Sequence, residues 1–466
     1  MFRLFLALIS FINLVLFLEP NIALEGKFLS YAPLFSILSA IVYILKGLVA
    51  SQREFRIFYI VLIGILYFNT PMYFTYLLDE NEGRYLVLKH GIDFIYFIKT
   101  NYLLGTSIPL LILGYELKQK RVSHPIIIEK REIVSTKYLF ICSTILLAYN
   151  VIKLGITFGG LFTSQNVDVF YILLIRSVSL TSCALFYNYR IENGKRNISF
   201  LKYSAKNITT ITLLVFFIAY STIGGDRGPA ATIIIMLAIG YLSTREMIIK
   251  TSELFISIFA CIILFNVFFA IEDLRATNYG ESFSTETLMN YSSEDSEMTS
   301  LGSSQKCTAL AIQGIDDGIY PHSYGLFFLG GLLKSIPYIG NKIFEIIGIP
   351  SIIGEGSARL LTIQFYGEDS VTGLGTTYLA ELYIEFGVFG IIIISILFGY
   401  LSRFLDKEIN NKNITFETYV LIMFFAGYAF YLGRGTLHTF LINYIHTLIF
   451  YYIIYKIPKF IFSKHV

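Results

Sequence analysis

Two arginines in this chain stand between glycines, each at the edge of an apolar run. Arg227 lies in "GGDRGP" (224–229) and Arg434 lies in "YLGRGTLH" (431–438). A guanidinium presents a planar fork of donors that matches phosphate oxygens, and glycines let a backbone approach a ligand closely. Pro229 suits the first position of a helix, whose free amides favour an anion. The pattern predicts a site for a phosphate or a pyrophosphate.

Two further arginines lie where a charge is costly. Arg176 falls inside the apolar run "VFYILLIRSVSLTSCALF", and Arg275 stands where another apolar run ends. Ionisable side chains within a membrane usually face a cavity or a partner. The alternative is an arginine that snorkels to the headgroups, and Arg227 could also pair with Asp226. The four arginines together favour the anion site.

A second group of chemically active residues lies in "VTGLGTTYLAELYIEFGVFG" (371–390). On a helix, Tyr378, Glu381 and Glu385 share one face, because they are spaced by three and four residues. A desolvated carboxylate there could act as general base toward a sugar hydroxyl. The alternative is a solvated helix face. His438, four residues after Arg434, is a second candidate base, with a structural histidine as its alternative.

Metal chemistry is not predicted. The six histidines show no ligand spacing such as H-E-x-x-H, and the adjacent acids in "IEDL" (271–274) and "IDDG" (315–318) are common in loops. A divalent ion at those acids is therefore the minority interpretation. The four cysteines follow no metal or redox spacing, so no disulfide framework is indicated.

Composition determines which elements must position these residues. Hydrophobic residues make up 55% of the 466 residues and charged residues only 15%, which is typical of an all-α polytopic membrane protein. Apolar runs predict about twelve transmembrane helices. They lie near 2–18, 28–50, 57–78, 94–115, 138–158, 168–188, 208–223, 229–244, 252–270, 386–402, 415–431 and 437–455.

The distribution of lysine and arginine predicts the orientation. The even-numbered connections and the C-terminal tail carry most of these residues, whereas the odd ones are short and mixed or acidic, such as "DENEGRY" (79–85). Positive residues accumulate on the cytoplasmic side of membrane helices. Both termini are therefore predicted to be cytoplasmic, and Arg227 and Arg434 are predicted to lie on the outer face.

One long outward connection divides the chain. The predicted parts are a bundle of about nine helices at 1–270, a large outer loop at 271–385, and a bundle of about three helices with a cytoplasmic tail at 386–466. Within the loop, the Ser/Thr/Glu-rich segment 281–306 is predicted to be mobile. The apolar, Gly- and Pro-broken segment 324–354 predicts short helices that lie on the membrane face or re-enter it.

Taken in order, several segments resemble the oligosaccharide repeat-unit polymerases, the O-antigen polymerases of the Wzy type. The resemblance covers the second half of the chain and one helix before it. It rests on Arg176 within a span and on the segments "GGDRGPAATIIIM" (224–236), "SYGLFFLGGLLKSIP" (323–337), "GLGTTYLAELYIEFGVFG" (373–390) and "GRGTLHTFLINYIHTLIF" (433–450).

The resemblance implies a GT-C-like glycosyltransferase of the bacterial inner membrane, with its active site facing the periplasm. Such enzymes transfer a growing glycan from undecaprenyl pyrophosphate to the non-reducing sugar of a new lipid-linked repeat unit. Donor and acceptor are then both carrier-linked oligosaccharides, membrane lipid surrounds the chain, and a chain-length regulator is a candidate further partner. No nucleic acid, cofactor or metal is implied.

The resemblance also implies roles for the candidate residues. The pyrophosphate would be held by Arg176, Arg227, Arg275 and Arg434, with Arg227 also contributing to catalysis. Glu381 or His438 would take the proton of the acceptor hydroxyl. Where related chains carry Asn-Phe-Gly before the tenth span, this one has Glu385-Phe386-Gly387. The candidate sugar or loop contacts are Tyr378, Glu385, His322 and Arg359.

Two other functions fit part of the pattern. An O-antigen ligase uses the same donor and a similar fold but transfers the finished glycan to lipid A-core. A flippase for the lipid-linked unit would often show internal repeats and broken helices in both halves, and no internal repeat is visible in this sequence. The segment 373–390 favours the polymerase.

Overall fold

The structure is a computed structural model and is helical, with no strand among the residues it describes. Those residues are 2–21, 30–49, 56–89, 91–117, 134–155, 169–193, 205–224, 227–243, 297–334, 342–343, 346, 356–368, 370, 373–409, 411, 414–437 and 439–458. Within some helices the side chains of individual residues also lie outside the description, and Arg227 is one of them. The predicted ninth span, 252–270, lies outside the described residues.

Sixteen α-helices are described. In chain order, they are α1 Phe2–Leu18, α2 Ala32–Val49, α3 Ile57–Asn69, α4 Pro71–Leu78, α5 Glu80–Lys89, α6 Phe94–Glu116, α7 Thr136–Leu154, α8 Val169–Asn193, α9 Ile208–Ile223, α10 Arg227–Ser243, α11 Glu297–Asp316, α12 Leu326–Lys334, α13 Ser357–Tyr366, α14 Tyr378–Glu408, α15 Phe416–Ala429 and α16 Thr439–Tyr451. A 3-10 turn, Phe430–Arg434, follows α15, and a π-helical turn, Tyr452–Lys456, follows α16.

Several of these helices are long and apolar enough to cross a membrane. Among the described residues, five helical segments meet that condition, and α3 with α4 make a sixth if the bent pair is one span. Shorter apolar helices occur at α1, α2, α9 and α10. The chain is therefore a multi-pass membrane protein. The count of about twelve spans and the orientation stay predictions.

The predicted span at 57–78 is broken in the structure. Pro71 has no amide hydrogen to continue the helix, and α3 and α4 meet at 56°. The side chain of Gln305, from α11, fills the break: its Oε1 accepts the Met72 amide at 2.8 Å, and its Nε2 donates to Asn101 Oδ1 at 3.1 Å. A buried backbone donor freed by the break thus has a partner from a distant part of the chain.

Helix α6 lies at the centre of the bundle, where most of its side chains are buried. Its contact with α14 depends on two glycines. A Cβ on Gly114 would lie 2.1 Å from Ile396 O, and a Cβ on Gly399 would lie 2.1 Å from Leu111 O. Only residues without a side chain allow two backbones this close together. The glycines therefore fix the position of α14, which carries Tyr378, Glu381 and Glu385.

Helix α11 contradicts part of the prediction for 281–306. Residues 297–306 belong to this helix, and Ser304, Gln305 and Lys306 are buried. The helix is anchored by polar pairs such as Thr308 Oγ1 to Thr377 Oγ1 at 2.7 Å. The prediction of a mobile segment is thus wrong for 304–306, because these polar side chains are buried in a helix that packs against α6 and α14. Residues 281–296 lie outside the described residues.

The other loop predictions are tested only in part. A short helix, α12, is present at Leu326–Lys334, as expected of the segment 324–354, but most of 335–355 lies outside the described residues. The boundary predicted between 385 and 386 falls inside α14, which has a break at Gly387. The segment 79–85, taken as a connection, is largely part of α5. The three-part division of the chain stays a prediction.

Candidate functional site

Arg434 is positioned by the close contact of two backbones. The 3-10 turn that ends at Arg434 lies against α3, and a Cβ on Gly433 would lie 2.6 Å from Gly64 O. Asn69 Nδ2 donates to Gly433 O at 3.1 Å and holds the turn there. Gly433 is thus needed for this helix contact, whereas the sequence pattern predicts a glycine that lets a ligand approach the backbone. The Arg434 side chain is half-buried and has no hydrogen bond among the described residues.

A cavity of about 170 Å³ lies beside this turn. Its lining joins the two glycine-flanked arginine motifs, because both Arg434 and Gly228 face it. Helix α10 begins at Arg227, and its next residue, Gly228, lines the cavity, so the first turn of that helix borders the cavity. The side chain of Arg227 lies outside the described residues. The other lining residues are Phe398, Phe425, Tyr428, Ala429, Tyr431, Leu432, Gly435, Thr436 and Thr439. The two motifs therefore meet at one site.

Arg176 lies deeper in the bundle and is connected to the same cavity. Its side chain is only 8% exposed, and Nη2 donates to Asn443 Oδ1. Asn443 Nδ2 in turn donates to the Tyr428 hydroxyl, a lining group, at 2.7 Å. Arg176 Nε and Nη1 are buried without a hydrogen-bond partner among the described residues. This burial contradicts the alternative in which Arg176 snorkels along the lipid face.

Glu381 connects the segment 371–390 to the segment that carries Arg434. Its side chain is 0% exposed, and its Oε2 accepts the amide of Leu437 at 2.7 Å. Leu437 follows Arg434 by three residues, so α14 is joined here to the segment that carries the arginine. Tyr378, one turn earlier, is also buried and exchanges a hydrogen bond of 2.7 Å with Ser107 of α6. The alternative of a solvated helix face is wrong.

Glu385 is surrounded by donors from one short segment. Its carboxylate accepts the Ser323 hydroxyl and the Gly325 amide at 2.6 Å, and the Phe328 amide at 2.9 Å. The latter two belong to the start of α12, where a carboxylate satisfies free amides and interacts favourably with the helix dipole. Glu385 thus fixes α12 to α14. A sugar contact for Glu385 stays a prediction.

The break in α14 makes that attachment possible. Gly387 has φ of 62°, a conformation that favours glycine, and the break exposes carbonyl oxygens of the preceding turn. Ser323 N donates to Ile384 O at 3.0 Å, and His322 Nδ1 lies 3.3 Å from the same oxygen. The His322 ring covers Gly387, where a Cβ would lie 3.2 Å from it. His322 is therefore packed on the break.

The remaining predicted site residues are not brought to the cavity by the described structure. Arg359 lies on α13 and donates to Glu368 O at 2.7 Å, a local contact. Arg275 and His438 lie outside the described residues. The acids of "IDDG" have protein partners, because Asp316 accepts the Tyr383 hydroxyl at 2.8 Å and pairs with Lys99. Asp317 accepts the Tyr96 hydroxyl. Within the described residues, no group of three metal-ligand side chains occurs.

Lys306 is a buried cation that the sequence interpretation missed. It is 5% exposed, and its ammonium lies 3.0 Å from the centre of the Phe365 ring. Burial lowers the pKa of Lys306 to about 8. Burial raises the pKa of the adjacent Cys307 thiol to about 12, an effect that the charges of Arg434 and Lys306 oppose. Two cations therefore act on one thiol. The sequence signal for this buried cation is a lysine at the start of the largely uncharged stretch "SSQKCTALAI" (303–312).

These features define a multi-pass membrane protein with a cavity that is lined by Arg434 and by several apolar and aromatic side chains. The family model of the O-antigen polysaccharide polymerase Wzy matches residues 1–465. The chain belongs to this family, as the ordered motifs predicted. It is thus an O-antigen repeat-unit polymerase in general, a glycosyltransferase-type enzyme that acts on lipid-linked oligosaccharide repeat units. Neither a curated protein nor a solved structure matches the chain.

Proposed function

We propose that this chain extends a glycan by transferring it from undecaprenyl pyrophosphate to the non-reducing sugar of a new carrier-linked repeat unit. The reaction takes place on the periplasmic face of the inner membrane, in a GT-C-like bundle, without a metal ion. One observation carries the proposal: the motifs of Arg227 and Arg434, far apart in sequence, border one cavity that is also connected to Arg176.

In this proposal the arginines bind the pyrophosphate of the donor. When the bond between the sugar and the carrier breaks, negative charge builds up on the departing pyrophosphate. Donors fixed in advance around that charge lower the barrier more than donors that must reorganise. Arg434 lines the cavity, Arg227 begins the helix that borders it, and Arg176 and Arg275 support them. A bidentate guanidinium suits phosphate better than a lysine does.

Glu381 or His438 takes the proton of the acceptor hydroxyl. Support for Glu381 comes from its burial and from its bond to the amide of Leu437, the residue before His438. Glu381 thus contacts the segment that carries Arg434, and His438 follows that segment in the sequence. Tyr378, Glu385, His322 and Arg359 stay proposed as sugar or loop contacts. Of these, Glu385 and His322 also help to attach the segment 322–328 to α14.

Membership of the family supports the polymerase over a ligase or a flippase. Deletion of the gene separates the three, with surface polysaccharide analysed on a gel. We expect core that carries a single repeat unit. Bare core, with polymer still on its carrier, would instead identify a ligase. A loss of both polymer and single-unit capping would identify a flippase.

Substitution of the arginines tests the site itself. Arg227→Ala and Arg434→Ala are expected to abolish the ladder of chain lengths while the protein still reaches the membrane. Arg227→Lys should also be impaired, because a lysine lacks the planar fork. Arg84→Ala is the matched control, since Arg84 is exposed and pairs with Glu80 on α5. Near-normal ladders from the Arg227 and Arg434 variants would contradict the pyrophosphate role.

A further inference from the structure

Three helices contribute one polar group each to a chain that ends at the cavity. Arg176 comes from α8, Asn443 from α16 and Tyr428 from α15. Arg176 is seven residues from the start of α8, and Asn443 is four residues from the start of α16. At about 1.5 Å per residue, both lie roughly 6–10 Å below the ends of their helices. The chain therefore lies inside the bundle, one to two turns below the cavity end.

The chemistry of the groups fixes the orientation of the Asn443 amide. A guanidinium has donors only, so the oxygen of the amide must face Arg176. The NH₂ of Asn443 then faces the Tyr428 hydroxyl, which accepts from it. A flipped amide would place its NH₂ group against the guanidinium. Asn443 thus has one conformation that satisfies both neighbours, and it holds Arg176 and Tyr428 at a fixed separation.

Both groups that contact Arg176 are neutral. The interaction partners of its guanidinium are Asn443 and Tyr428, and within the described residues no carboxylate pairs with it. A buried charge without a counter-ion is costly, and proteins usually neutralise one with a carboxylate. An aspartate has nearly the shape of Asn443 and would supply that carboxylate. The chain has instead an amide, which orients the guanidinium but leaves its charge available.

We propose that Asn443 and Tyr428 are positioning residues that hold Arg176 as a second, unneutralised guanidinium, linked through Tyr428 to the cavity that Arg434 lines. The site then takes a ligand with two linked anionic groups, such as a diphosphate, in preference to a single phosphate. This inference rests on the proposed function, because it assigns new residues to the same site. Unlike the proposed function, this inference concerns only the binding of the anion, and anion binding can be measured without glycan transfer.

Asn443→Asp is the decisive variant. It keeps the size of the side chain and places a carboxylate against Arg176. We expect the melting temperature of the full-length protein in detergent to stay equal or rise, because the buried charge gains a counter-ion. Polymerisation is expected to fall at least tenfold, because the guanidinium no longer serves the ligand. If Arg176 were only structural, this variant would retain normal ladders, and that result would overturn the inference.

Asn150→Asp is the matched control. Asn150, on α7, is a fully buried asparagine, whereas Asn443 is partly buried, and the Asn150 Nδ2 donates to Leu146 O and Phe170 O. No arginine contacts it among the described residues. The same substitution should therefore lower the melting temperature here, because it buries a carboxylate without a partner. A higher melting temperature in Asn443→Asp together with a lower one in Asn150→Asp would show that Arg176 is charged and gains a counter-ion from the new carboxylate. A loss of stability in Asn443→Asp equal to that in Asn150→Asp would contradict it.

Direct binding separates this inference from the proposed function. Inorganic pyrophosphate and inorganic phosphate are titrated into the purified full-length protein by calorimetry. We expect pyrophosphate to bind at least tenfold more tightly than phosphate. Asn443→Asp and Tyr428→Phe should each weaken pyrophosphate binding several-fold. This result would stand even if the gene deletion showed that the protein is not a polymerase. Unchanged pyrophosphate binding in both variants would overturn the inference and leave the polymerase proposal intact.

Discussion

The ammonium of Lys306 lies 3.0 Å from the centre of the Phe365 ring, in a place where almost none of the side chain reaches solvent. The face of an aromatic ring attracts a cation, but it does not fully replace the water that the ammonium has lost. The pKa of Lys306 therefore falls from the usual 10.5 to about 8, because burial disfavours the charged form. The folded protein is thus destabilised by this charge at neutral pH.

Lys306→Met removes the charge and keeps a flexible chain of similar length. We expect this variant to melt at a higher temperature than the wild type at pH 7, where the unfavourable charge is fully present. Between pH 8 and 10.5 the unfolded chain binds more protons at Lys306 than the folded protein, so wild-type stability rises relative to the variant. The difference in melting temperature should therefore shrink as pH rises through this window.

Melting curves of both proteins at several pH values check this prediction. Lys99→Met is a useful control, because Lys99 pairs with Asp316, and its loss should lower the melting temperature at neutral pH. A Lys306→Met protein that is less stable than the wild type at pH 7 would show that the aromatic contact outweighs desolvation. A ladder lost in a more stable Lys306→Met protein would add Lys306 to the site.

Single residues also show where sequence interpretation succeeds and where it stops. Arg434 could be singled out, because glycines around an arginine at the end of an apolar run are unusual, and the structure places it at a cavity, although its role in binding stays a proposal. Asn443 and Tyr428 could not, because a single amide or phenol within an apolar helix has the same pattern whether it packs or binds. The three-dimensional bond from Arg176 to Asn443 is what favours a positioning role for them.

At the scale of helices, the arrangement around the cavity depends on contacts between backbones. The turn that carries Arg434 touches α3 at Gly64, where an added Cβ would lie 2.1 Å from Phe430 O. That oxygen belongs to a backbone and cannot move like the end of a side chain. A substitution at Gly64 must therefore shift the whole turn. Arg434 would move with it, although Gly64 itself does not line the cavity.

Gly64→Ala tests this dependence. We expect it to cost about 1–3 kcal/mol of stability, as overpacking typically does, and to shorten or abolish the polysaccharide ladder. Gly373→Ala is the matched control, because a Cβ there meets no atom within 4 Å and the backbone is not in the left-handed region. Equal effects of the two substitutions, measured as melting temperature and as ladder length, would contradict the proposed role of the contact.

The apolar helices were predictable and the polar one was not. The runs at 2–18, 94–115 and 208–223 coincide with α1, α6 and α9 to within about a residue, because burial in lipid or in the bundle requires continuous apolar residues. Helix α11 escaped prediction, since its Gln305, Lys306 and Thr308 are buried by bonds to distant residues. No local sequence pattern indicates such distant partners, and the composition of the segment is that of a loop.

At the scale of the whole molecule, the orientation in the membrane is the next property to test. The distribution of Lys and Arg predicts cytoplasmic termini and an outward-facing site. A green fluorescent protein fused after Val466 should therefore fluoresce, because it folds in the cytoplasm. Alkaline phosphatase fused within 281–296 should be active, because it needs the periplasm. Active phosphatase at the C-terminus would reverse the orientation and contradict the periplasmic site.

The bond between Gln305 and Met72 has a consequence for synthesis of the chain. The two residues are 233 positions apart, so the broken pair α3–α4 is made long before its partner. At roughly 5–20 residues per second, Gln305 emerges about 12–47 s after Met72. During that interval the freed Met72 amide needs water or a provisional acceptor, because an unsatisfied donor in lipid costs several kcal/mol. The hydrogen bonding at this break is therefore completed only after α11 has been translated.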